Sequence, residues 1–205
     1  MMNLVELEIS KTQAIKIYLP CQKEDVGSFD IISVKYFREQ MEYDLYVNDF
    51  AAEAIISLKN MLEEALNFKL QIQNKYLDKG IGYYHNIYYN KLWTTNDSSL
   101  TDPGEDFILW STPTHIGIET FIYNVQNKIY IEICPIYKWN GSCPEDEDEN
   151  KDEYVPFEVF LSNYKPIDII VIDKSVAEKW FKLCCEMIEV FEANDKRYLN
   201  ERKTN

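Results

Sequence analysis

The stretch Ile116–Tyr137, IGIETFIYNVQNKIYIEICPIY, decides the fold class. Its apolar and aromatic residues form two runs of strand length, Ile116–Val125 and Lys128–Tyr137. Gln126-Asn127 between them supply the two polar residues of a tight hairpin turn. A third strand-like run, Phe107–Ser111, precedes the hairpin. Three antiparallel strands in succession, with no helical period between them, are expected at the centre of an antiparallel sheet.

Upstream, Val5-Glu6-Leu7-Glu8-Ile9 and Ile15-Lys16-Ile17-Tyr18-Leu19 alternate apolar and polar residues, as half-buried strands do. The stretch 30–47 is rich in Ile, Val, Tyr and Phe and breaks near Arg38-Glu39-Gln40, which reads as strand, turn, strand. The period then changes. Ala51, Ile55, Leu58, Leu62, Ala65 and Leu66 recur every three or four residues, so a helix is expected there, capped by Asn48 or Asp49. The tyrosine-rich segment Gly80–Trp93 fits a short helix or a strand equally well, and 94–104 reads as a loop.

Downstream, 140–153 is an acidic loop that starts with Gly and Pro, followed by Phe157–Tyr164 and the β-branched run Ile167–Ile172, expected to be buried in the sheet. Ser175 and Glu178 have the spacing of a capping box. Ala177, Trp180, Phe181, Cys184, Met187, Ile188 and Phe191 then form one apolar stripe of a last helix. From Asn194 onward the chain is charged without apolar periodicity, and a frayed tail over 194–205 is expected. The resulting fold class is α+β, a mostly antiparallel sheet with two main amphipathic helices packed on it. The fifty or so residues after the acidic loop hold too few elements for a core of their own, so 1–205 reads as a single domain without internal repeats.

Composition narrows the function. Against 21 basic residues stand 35 acidic ones, a net charge of −14. Affinity for nucleic acid comes mainly from Lys and Arg on phosphates, so a nucleic-acid partner is not expected and a basic protein partner is. No apolar run reaches the roughly 18 residues of a membrane span. The first residues have neither a basic leader nor an uninterrupted apolar core, so a soluble, cytoplasmic protein is expected. The five cysteines are odd in number, and Cys184-Cys185 are adjacent, which favours reduced thiols.

Motifs for chemistry are lacking. His85 and His115 have no second ligand at a zinc spacing. In the acidic loop a calcium register starting at Asp146 puts Lys151 where Gly is required and Phe157 where a bidentate Glu is required. Gly80-Ile81-Gly82 lacks the third glycine and the preceding strand of a dinucleotide fingerprint. His115 with Glu119, on one face of one strand, remains as an acid/base pair that needs no such role. No catalytic, cofactor-binding or metal-binding residue is therefore assigned, and no cofactor is expected. The site expected from sequence is a partner-binding one: Glu145, Asp146, Glu147, Asp148, Glu149, Asp152 and Glu153, seven carboxylates against one lysine in nine residues. The 15 tyrosines and 4 tryptophans offer hot-spot anchors if exposed, and core packing if not.

Leu109-Trp110-Ser111, Tyr123-Asn124, Lys128–Ile133, Pro135, Tyr137, Tyr164, Pro166 and Trp180 together give the chain a family likeness. It resembles small bacterial immunity proteins that neutralise co-encoded toxins in contact-dependent or polymorphic toxin systems. The resemblance covers about half the chain, in sheet and packing residues, and implies a stoichiometric cytoplasmic inhibitor without catalysis, often acidic where the toxin is basic. The alternative expectation is a small enzyme or ligand-binding domain with a pocket between sheet and helices.

Overall fold

The computed structural model describes residues 3–95, 97, 99–140 and 154–203, with the side chains through Glu201. The strands divide into two antiparallel sheets of four, where periodicity alone suggested one. The first is a meander of β1 (Asn3–Ser10), β2 (Gln13–Leu19), β3 (Ile31–Arg38) and β4 (Met41–Phe50). The second, in spatial order as in sequence, is β5 (Ile108–Ser111), β6 (Ile118–Val125), β7 (Lys128–Pro135) and β8 (Asp168–Ile172). The α+β class holds, with four α-helices among the described residues: α1 (Ala51–Leu66), α2 (Ile81–Thr94), α3 (Phe157–Ser162) and α4 (Lys174–Lys203).

The first sheet buries one face only. Val5, Leu7, Ile15, Ile17, Val34 and Tyr36 point inward while Glu6 and Glu8 face solvent, as the alternation of these strands dictates. These residues share one hydrophobic cluster with Ile55, Leu58 and Leu62 of α1, with Trp180, Cys184, Met187 and Phe191 of α4, and with Ile122, Ile129, Ile131 and Ile133 of the second sheet. Asp168, on the edge strand β8, ties the second sheet to the inner strands β2 and β3 of the first. Its carboxylate accepts hydrogen bonds from the Tyr36 hydroxyl and from Gln13 Nε2 at 3.1 Å, and pairs with Arg38 at 3.2 Å.

The second sheet is covered on both faces, which explains why every residue of β6 from Glu119 to Asn124 is buried. Phe121, Tyr123 and Cys134 face away from the main core and form a smaller cluster with Ile72 and Ile81, on the side where α2 lies. Gln126, at φ 55°, makes the hairpin turn between β6 and β7. Strand β5 reaches only the start of β6. Beyond it the segment after α1 takes its place: Asn124 exchanges backbone bonds with Leu70 and Ile72, and its side chain ties Leu70 N and Ala65 O.

Several local expectations are corrected. No side chain caps α1, because β4 runs directly into it and Asp49 bonds to the Phe50 amide instead. Helix α4 begins at Lys174, so Ser175 lies in its first turn rather than at its cap. Strand β8 is an edge strand, with Ile169 and Val171, opposite Glu132 and Tyr130, exposed at the margin of the α2 side. The tail is not frayed at Asn194: α4 continues to Lys203, held where Asn194 Nδ2 donates to the carbonyls of Glu24 and Val26 at 2.9 and 3.0 Å. Among the described residues no helix is long and apolar enough to cross a membrane. The described cysteines, Cys21, Cys134, Cys184 and Cys185, are all free thiols. Cys143 lies outside the described residues.

Candidate functional site

The groups capable of chemistry gather around α2. This helix starts at Gly80, whose φ of 83° lets the chain turn in, and its first free amides point at a carboxylate from the neighbouring sheet. Glu132, fully buried on β7, accepts from Ile81 N at 3.0 Å, Gly82 N at 2.9 Å and the Tyr123 hydroxyl at 3.0 Å. A negative charge at a helix N-terminus is favourable, and here it replaces a cap from the chain itself. Burial raises the Glu132 pKa, while the two amides and the Tyr123 hydroxyl oppose that rise.

One turn on, Asn86 bonds Gly82 O at 2.7 Å and Pro135 O at 3.0 Å through Nδ2, and accepts from Tyr137 N at 2.7 Å. All of its reach goes into fastening α2 to the end of β7. Gly82 is required by the same contact, since a Cβ there would collide with the Cys134 sulfur and the Tyr164 hydroxyl. The Cys134 thiol is pushed well above its ordinary pKa by burial and then by the charge of Glu132. A thiol held protonated is a poor nucleophile.

His85 lies on the same face, 1% exposed. Its Nδ1 is 2.9 Å from Asp102 Oδ1 and its Nε2 is 2.6 Å from Glu119 Oε2. Asp102 also accepts from Gly104 N at 2.8 Å, and Glu119 accepts from Ser111 Oγ at 2.9 Å. Tyr89 and Phe121 rings flank the imidazole at 4.5 and 5.3 Å. Burial alone would pull the His85 pKa down, but hydrogen bonding to Asp102 and Glu119, with their charges, lifts it from 6.5 to about 9. At neutral pH the ring is an imidazolium between two carboxylates. An imidazolium has no free nitrogen with which to accept a proton.

The pairing of His115 with Glu119 that the sequence left open does not form. Strand β6 begins at Ile118, which leaves His115 exposed in the preceding turn, while Glu119 turns inward to His85. Among the described residues no group of three or more His, Cys, Asp or Glu is arranged to hold a metal ion. His85 shows why its cluster fails as one, since its two carboxylates sit on opposite ring nitrogens. The sequence-predicted partner-binding residues, Glu145 to Glu153, lie outside the described residues. The ionic cluster was missed because its members are 17 and 34 positions from His85, and only the shared burial of three ionisable groups marks it.

No protein-family model matches the chain, and neither the curated proteins nor the solved structures contain a match to it.

Proposed function

We propose that this chain is a non-catalytic binding protein that neutralises a basic protein partner by stoichiometric capture, as an immunity protein neutralises a co-encoded toxin. The observation that carries this reading is the net charge of −14, with its densest segment at Glu145–Glu153. A potential of that sign draws in basic surfaces, raises the association rate and repels nucleic acid and other acidic partners. The chemistry of the core supports it. The one buried histidine is saturated by two carboxylates, the buried thiol of Cys134 is held neutral, and both serve to dock α2.

Co-expression of the chain with the product of the reading frame adjacent to its gene tests this function. The expected result is restored growth and a one-to-one complex that survives purification. Growth arrest that persists, with no complex between the two purified proteins, would overturn the proposal.

A further inference from the structure

The loop between β2 and β3 and the last turns of α4 enclose an open cleft of about 430 Å³, within the size range of roughly 300–1,000 Å³ common to binding sites. The structure builds it firmly. Ser28 N donates to Asp195 Oδ1 at 3.1 Å, Gly27 N donates to Asp30 Oδ2 at 2.8 Å, and the Asn194 amide holds the start of the loop. The closest approach is at Gly27, where a Cβ would sit 3.0 Å from Asp195 Oδ1. Four carboxylates line the cleft, from Asp25, Asp30, Asp195 and Glu201, together with the guanidinium of Arg197, which lies 3.9 Å from Asp25. The lining is thus net acidic.

Its walls are aromatic. Phe29 and Tyr198 line the cleft, and among the described residues Phe29 is left 75% exposed. Its ring meets that of Phe50 edge to face at 5.8 Å, and Ile31, 48% exposed, continues the apolar ground beside them. Aromatic faces with carboxylates around them recognise one kind of group well: a cationic side chain, whose alkyl stem and charge are both satisfied.

We propose that this cleft is the anchor site for the basic partner, receiving an arginine or lysine side chain between Phe29 and Tyr198, with its charge met by the surrounding carboxylates. The inference rests on the binding reading above and supplies what that reading lacks, a shaped site that governs dissociation. The acidic segment at Glu145–Glu153 speeds encounter, and the cleft retains what arrives.

Titration of the isotope-labelled full chain with a tetra-arginine peptide, followed by amide chemical shifts, tests the site independently of any natural partner. Saturable shifts are expected at Gly27, Phe29, Asp30, Asp195 and Tyr198. Phe29→Ala should weaken the peptide about 3- to 30-fold, the range of one cation–π contact. Asp25→Asn, at a carboxylate side chain 58% exposed and outside the core, should weaken it as well. Shifts spread over the whole acidic surface, affinity unchanged in Phe29→Ala, or a second copy of the chain covering Phe29 in sedimentation would each overturn the proposal. Because shifts at Gly27, Phe29 and Asp195 report on the cleft without any natural partner, their failure is distinguishable from a failure of growth protection, which reports on the function.

Discussion

Replacing Glu132 by alanine should cost more stability than its position on a strand suggests. The side chain is fully buried and holds three donors, two of them the amides of Ile81 and Gly82 that open α2. A buried donor left without an acceptor costs about 1–3 kcal/mol. Two backbone amides that cannot turn elsewhere therefore account for roughly 2–6 kcal/mol. The relief of no longer burying a carboxylate offsets part of that, and we expect a net loss of roughly 3 kcal/mol. For a chain with a urea m-value near 3 kcal/mol/M, the unfolding midpoint should fall by about 1 M. Hydrogen exchange gives the local signature, because the Ile81 and Gly82 amides should lose protection well before the rest of α2. Tyr123→Phe, which removes one hydroxyl and leaves both amides paired, should cost only about 1 kcal/mol. A loss below about 1 kcal/mol in Glu132→Ala, with both amides still protected, would refute the account of how α2 is capped.

Three further outcomes follow from the same core. The His85 pKa is raised from 6.5 to about 9 in the folded chain, so its contribution is fully present below pH 6.5 and is lost as pH rises toward 9. Denaturant unfolding across that window should show stability falling by roughly 3 kcal/mol from this group, and His85→Gln should flatten the slope. Gly82→Ala should destabilise by about 1–3 kcal/mol, although alanine is the better helix former, because its methyl group would strike Cys134 and Tyr164. Titration of denatured, freshly purified protein should find all five thiols of the sequence free, and a reproducible intramolecular disulfide would contradict this.

Elements written in local periodicity were legible before any coordinates. The alternation in β1 and β2, the 126–127 turn and the stripes of α1 and α4 all stand where the residues put them. What sequence could not supply was pairing. Periodicity names a strand but not its neighbour, so eight strands read as one sheet resolve into two joined through Asp168. Helix α2 was ambiguous because its buried face carries His85 and Asn86, and its cap arrives from Glu132, about fifty residues away. The end of α4 was misread for a related reason: Asn194 and Asp195 hold it through polar bonds to the β2–β3 loop, which leave no apolar signature. The cleft those bonds create joins residues some 170 positions apart.

In the proposed capture of a basic protein, the Glu145–Glu153 segment steers encounter and the Phe29 cleft limits escape. Stopped-flow association and dissociation with the product of the reading frame adjacent to its gene, over a range of salt concentrations, tests it most directly. Replacing Glu145, Asp146, Glu147, Asp148, Asp152 and Glu153 by Gln or Asn should slow association and flatten its salt dependence while leaving dissociation and thermal stability nearly unchanged, since screening over about 8 Å acts on encounter. Phe29→Ala should do the reverse, raising the dissociation rate at nearly constant association rate. Association as fast and as salt-sensitive without the six carboxylates as with them, together with a dissociation rate indifferent to Phe29, would contradict the claim.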